Sequence, residues 1–294
     1  MVKNYLKIAL RHLQKNKLYT AVNMLGLTIG ITSCILIGIY VWHELSFDRF
    51  HANADRIVRV TWEYNFGSAD TKIATTGTKV GPQFQRTFPE VESYVRLLKY
   101  GRVLSYKDKL FDEKNFVYAD SAFFSIFSFP LIRGDVATVL DAPEKLVITE
   151  SMAKKYFGNE DPIGKTVKVG GTKNFVVSGV TADAPENSQI KFDFIGSFKT
   201  LNASKEEKWN EANYITYLLL QQPDAIKPLQ AKVTAYAAKV AKEEMQAEGN
   251  QFMTYHLEPL TKVHLHSSLD GLEPNNNILY IYILCVVAVL ILLI

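Results

Sequence analysis

Residues 158–166 read GNEDPIGKT. The Gly-Lys-Thr ending points first to a glycine-rich loop whose backbone N–H groups cradle phosphate. The fit fails. That loop has four residues between its glycines, and here five separate Gly158 from Gly164. Pro162 also removes a backbone donor that the cradle would use. A helix stop followed by a Pro-Ile-Gly turn into a strand accounts for the same residues.

The histidines are the next chemical candidates. His264 and His266 are one residue apart, on one face if the segment is extended. Two such histidines could share a metal, but a site needs further ligands, and His256 is eight residues away. His43 and His51 bracket Glu44 and Asp48, a grouping that could relay protons or hold a metal; a hydrated segment at a membrane interface explains it as well. No nucleophile elbow and no zinc-protease pattern is present, and both cysteines lie in apolar runs. The expectation is no catalytic residue, no cofactor site and no metal site.

The elements that would position any chemistry are set by where the charges fall. Of 33 Lys and Arg, five lie in residues 1–17, with no acidic residue among them. Residues 18–42 and 278–294 carry no Lys, Arg, Asp or Glu. The block 43–277 holds 28 basic and 30 acidic residues. A basic N-terminus and two apolar runs therefore bracket a near-neutral polar block, the pattern of a membrane protein with a large extramembrane domain. A net charge of +3 over 294 residues gives no ground for nucleic-acid binding.

The 25-residue run 18–42 would form a helix of roughly 37 Å, enough to cross a ~30 Å hydrocarbon core with tilt. It is too long for a cleaved signal peptide and lacks a cleavage site. A lipoprotein signal at Cys34 is contradicted by Ile35-Leu36-Ile37, which continues the apolar run. Lys3, Lys7, Arg11, Lys15 and Lys17 precede it, so the N-terminus is expected in the cytoplasm and the block 43–277 across the membrane. The first four recur every four residues, which predicts a basic amphipathic helix on the cytoplasmic membrane surface. Gly26, Gly30, Cys34 and Gly38 also recur every four residues. Such a small-residue face lets a second transmembrane helix approach closely. The 17 residues 278–294 are short of a full span and read as the start of a second transmembrane helix of a longer protein.

The exported block mixes strand and helix signals and predicts an α+β domain. Residues 56–64 alternate like a half-buried strand. Segments 102–110 and 116–119 predict a hairpin. Asp120 is a candidate cap for a short aromatic helix over 121–127, and Thr149 or Ser151 for one over 152–157 that Gly158 would stop. Gly170-Gly171 marks a hairpin between 166–169 and 174–180. Leu229, Val233, Tyr236 and Val240 form a helical stripe between strands at 214–220 and 253–257. With no cysteine, this block has no internal disulfide.

Two long stretches carry a resemblance. NYLKIALRHLQKNKLYTAVNMLGLTIGI followed by HELSFDRFHANADRIVRV resembles the start of FtsX/MacB-like permease subunits of bacterial ABC transporters. VITESMAKKYFGNEDPIGKTVKV, with FVVSGVTADAPENSQIKFDFIGSF, resembles the periplasmic core domain of that family, and LEPLTKVHLHS fits its usual place before the second span. The resemblance implies a periplasmic core of two subdomains, one inserted into the other, flanked by transmembrane α-helices of the bacterial inner membrane. It also implies a separate cytoplasmic ABC ATPase subunit, and a permease homodimer or heterodimer or a duplicated half in one chain. A periplasmic partner protein is a further implied option. A membrane-anchored periplasmic sensing or binding domain without an ATPase is the competing reading.

Overall fold

The computed structural model describes residues 4–5, 11, 13–65, 70–244 and 252–293. Helix α1 (Lys17–Leu45) leads into β1 (Ile57–Asn65), β2 (Asp70–Ile73), α2 (Val80–Thr87), β3 (Val91–Tyr106), β4 (Lys109–Ala119), α3 (Phe123–Ile126) and β5 (Leu131–Arg133). Then come β6 (Lys145–Thr149), α4 (Glu150–Phe157), β7 (Thr166–Val169), β8 (Lys173–Thr181) and β9 (Phe194–Ser197). The chain ends with β10 (Ile215–Leu220), α5 (Ile226–Glu244), β11 (Phe252–Pro259), α6 (Leu260–His266) and α7 (Ile278–Leu293).

Contacts divide the molecule into two units, one of residues Met1–Ser46 with Asn277–Ile294, the other Phe47–Asn276. In the first, α1 is long and apolar enough to cross a membrane, and α7 is a shorter apolar helix. The two touch through small residues. A Cβ on Gly30 would lie 3.4 Å from Ile291 Cγ2, and Cys34 Sγ lies 3.5 Å from the Ala288 carbonyl.

The second unit is built on one 11-stranded sheet, in the order β11-β1-β10-β3-β4-β9-β6-β8-β5, with β2 beside β1 and β7 bridging β3 and β8. The strands between residues 131 and 197 gather at one end, and β1, β10 and β11 at the other. The chain thus starts and finishes one part of the sheet and inserts the rest. Pairing is antiparallel except for β4–β9 and β6–β8. Three apolar clusters cover the sheet: Phe123, Phe127 and Phe129 lead one, α5 with Phe84 and Tyr255 another, and Phe116, Phe175 and Phe194 the third.

Local signals explain several elements. Thr149 accepts a hydrogen bond from Met152 N, and Gly158, at φ 62°, ends α4. Gly170 and Gly171 turn β7 into β8 at φ 60° and 71°. Leu229, Val233 and Val240 bury the α5 stripe. Others correct the sequence reading. β1 is not half-buried: Ile57 through Trp62 are all buried, because strands flank it and clusters cover both faces. The 102–110 segment is not one strand; it turns at Lys107, φ 53°, where β3 folds onto β4. Asp120 does not cap α3. Its carboxylate accepts from Arg96 N, Nε and Nη2 at 2.8–2.9 Å, because the buried Arg96 offers charged donors and the α3 N–H groups do not.

Candidate functional site at the root of the domain

The chain leaves α1 at Leu45 and reaches α7 at Ile278, so residues 46–56, before β1, and 260–277, after β11, connect the sheet to the apolar helices. Two polar clusters tie these connections to the domain, and both form within residues Phe47–Asn276.

The first is centred on Arg59, whose neighbours in β1 are Val58 and Val60. Its side chain is 1% exposed. Such a cation is tolerated inside only when its donors are met. Glu258, its register partner on β11, accepts from Nε at 3.0 Å and Nη2 at 2.7 Å. Nη2 also donates to Ser267 Oγ at 2.9 Å and the Leu269 carbonyl at 3.1 Å. Ser267 in turn donates to Glu258 Oε1 at 2.9 Å. Gly271 lets the loop pass: a Cβ there would lie 2.7 Å from Arg59 Nη1.

The second cluster starts at Asp48, whose carboxylate is fully buried and whose backbone takes the left-handed φ of 55°. Oδ1 accepts from Ser188 Oγ at 3.1 Å and Gln189 N at 3.0 Å. Gln189 Nε2 lies 2.8 Å from His264 Nδ1, and Phe47 stacks on the His264 ring with centroids 3.5 Å apart. One chain of contacts therefore joins the segment after α1, the 187–190 segment and α6. Burial pushes the Asp48 carboxyl up to about 7, against the opposing bonds from Gln189 and Ser188. His51, buried among Phe50, Phe127 and Phe129, is pushed down to about 4 by desolvation.

The residues singled out from sequence distribute as follows. The 158–166 loop is a structural turn: Gly164 N donates to the Val177 carbonyl, Asp161 binds Arg133 and Ile163 N, and Lys165 pairs with Glu160. His264 and His266 lie on a helix, not an extended segment, so they do not share a face; His264 is buried and His266 exposed. His256 faces Glu63 instead. Among the described residues no three His, Cys, Asp or Glu side chains are grouped to hold a metal. His43 lies 3.6 Å from Glu44, and His51 lies 4.0 Å from Asp48. Gly30 and Cys34 face α7, whereas Gly26 and Gly38 have open space where a Cβ would project. Arg11, Lys15 and Lys17 are exposed, and Lys3 and Lys7 lie outside the described residues.

Arg59, Glu258, Ser188 and Gln189 were not among the sequence candidates. A charged residue inside an apolar strand, as in Ile57-Val58-Arg59-Val60, is the one signal that marks such a site.

The fold has solved counterparts. A domain of a provisionally assigned permease protein from Porphyromonas gingivalis is similar at TM-score 0.62 and 24% identity, over 71% of this chain and 91% of that one. The periplasmic region of MacB from Actinobacillus actinomycetemcomitans matches at TM-score 0.48 and 17% identity, over 70% and 90% of the two chains. The extracellular domain of the noncanonic ABC-type transporter YknZ from Gram-positive bacteria matches at 0.47 and 16%, over 68% and 98%. No curated protein is found as a sequence relative. The model of the MacB-like periplasmic core domain matches residues 20–236, and the chain belongs to that family of ABC transporter permease domains.

Proposed function

We propose that this chain is the non-catalytic, force-transmitting part of a bacterial ABC permease. A cytoplasmic ABC ATPase subunit would hydrolyse ATP, and the resulting movement of the transmembrane helices would be passed to the periplasmic domain. In this reading residues 18–42 and 278–294 lie in the inner membrane, 43–277 in the periplasm, and 1–17 on the cytoplasmic membrane surface. The permease would work as a homodimer, a heterodimer or a duplicated chain, with the Gly26, Gly30, Cys34 and Gly38 face against another transmembrane helix. The output would be efflux, lipoprotein release or export of a peptide or drug.

The observation that carries this reading, beside family membership, is the pair of buried clusters where the sheet meets its two connections. Arg59–Glu258 clamps β1 to β11, and Asp48–Gln189–His264 joins the segment after α1 to α6.

Co-expression of the intact protein with the ABC ATPase subunits encoded beside its gene tests the proposal. The ATPase is expected to co-purify in detergent, and its turnover to change when the permease is present. If a folded, membrane-inserted protein binds no such ATPase, the force-transmitting reading fails and a membrane-anchored periplasmic sensing domain takes its place.

A further inference from the structure

Asp48 and His51 are both fully buried, and each leaves one polar atom without a hydrogen-bond partner: Asp48 Oδ2 and His51 Nε2. Native interiors rarely leave such atoms unpaired. The Ser128 amide donates to His51 Nδ1 at 3.1 Å, so Nδ1 is the acceptor and the ring proton sits on Nε2. That N–H donor lies 4.0 Å from Asp48 Oδ1, too far for a hydrogen bond and close enough to become one with a shift of about 1 Å.

The surroundings favour a neutral pair. Phe50, Phe127 and Phe129 enclose the imidazole. Around Asp48, Ser188 and Gln189 donate from one side, and Lys191 on the same segment is the nearby cation. The phenol of the buried Tyr217, on β10, interacts electrostatically with Asp48, Arg59 and Glu258. His264 is reached through Gln189. Arg49, next in the chain, is exposed. Burial outweighs the Gln189 and Ser188 bonds and the Lys191 charge, so the uncharged acid is favoured, with its midpoint near pH 7.

We propose that Asp48 and His51 form a proton-operated latch at the root of the domain. With Asp48 protonated, the gap to His51 stays open and the 188–189 segment is held by two bonds to a neutral acid. When the proton leaves to bulk water, a charge is left in a buried site; Ser188, Gln189 and the His51 Nε2–H donor drawn toward it offset that cost only in part. The hold on the segment after α1 thus loosens as the pH around the domain rises through neutrality. This goes beyond the transport role and does not depend on the cargo.

Infrared difference spectroscopy of the full chain in lipid nanodiscs, titrated from pH 5 to 9, tests it. A protonated-carboxyl band should disappear with a midpoint near 7 in the native protein and be missing from Asp48→Asn. Should Asp48→Asn not fold, two other variants decide. Ser188→Ala removes one donor to the charged form, and His51→Phe removes the incoming one; each should move the midpoint upward by half a pH unit or more. Absence of a band titrating between pH 6 and 8 overturns the proposal. A midpoint unchanged in His51→Phe overturns the latch as well, because Asp48 would then titrate without its partner.

Discussion

Arg59 and Glu258 face each other across the β1–β11 register, two charges from distant parts of the sequence that meet where the arginine is shut off from water. Glu258 is the more exposed partner, at 26% of its side-chain surface, so its replacement leaves the cost on Arg59. Glu258→Ala should destabilise the domain by about 3 kcal/mol, the lower end for breaking a buried pair. Ser267→Ala, which removes one neutral donor and acceptor, should cost about 1 kcal/mol. Denaturant unfolding in detergent measures both, and equal effects would show that Arg59 is solvated in solution.

β11 is an edge strand, and α5 closes its edge with one side chain. Gln230 Nε2 donates to the Tyr255 carbonyl at 2.9 Å, and Gln230 Oε1 accepts from Leu257 N at 2.8 Å. The amide occupies the place of a neighbouring strand. Gln230→Ala should lower stability by about 1–2 kcal/mol and raise self-association. Unfolding curves and size-exclusion profiles at several concentrations check this; an unchanged profile would mean that the bulk of α5 guards the edge unaided.

The Asp48–His51 pair predicts an uncommon pH response. A carboxyl raised to about 7 stabilises fully below its unfolded value near 4, and that contribution is lost as the pH rises through 7. An imidazole lowered to about 4 stabilises fully above 6.5 and loses its contribution as the pH falls through 4. Between about pH 4 and 6.5 the two slopes oppose: folding only moves one proton from His51 to Asp48. The native pair should therefore add no pH dependence in that window. Asp48→Asn should lose stability on acidification, relative to native protein, and His51→Phe on raising the pH, each by about 1 kcal/mol per pH unit. Parallel curves for the three proteins would sink the assignment.

In the helix pair, Gly30→Leu places a side chain where Ile291 Cγ2 already lies 3.4 Å from a Cβ. The helix stays apolar, so insertion should be normal while the α1–α7 contact is lost. Leu36→Val, at an exposed position, is the control. Normal membrane levels with weakened cysteine cross-linking between the two helices is the expected result, and unaltered cross-linking would contradict it.

The parts of this fold legible in the sequence are those with local causes. Thr149 caps, Gly158 stops and Gly170-Gly171 turns through bonds and dihedrals within a few residues. The α+β class follows from the mixture of local strand and helix signals, and the polar block between two apolar runs from hydropathy and charge. The misreadings arise where a distant partner decides. Asp120 had a helix N-terminus beside it, yet Arg96, across a hairpin, offered a better ion pair. His264 could be read as extended until α6 is seen to put it under Phe47 and against Gln189. Lys107-Asp108 turns a hairpin without glycine: the positive φ falls on Lys107, and Asp108 alone is of a turn-favouring type. The root clusters were hidden for the same reason: each joins segments 140 or more residues apart.

The antiparallel pairing of β1 with β11 has a mechanical consequence. The chain enters β1 at Ile57 and leaves β11 at Pro259, and Val58 pairs with Pro259. Both tethers are thus fastened to the same end of one strand pair. Tension applied through them would not shear the ladder, loading every bond at once; it would peel it, one rung at a time, from the Val58–Pro259 end. The next rung is Arg59 against Glu258. Behind the ties made by Asp48 and Ser267, the Arg59–Glu258 pair is therefore the charged rung that a tear entering the sheet would meet first.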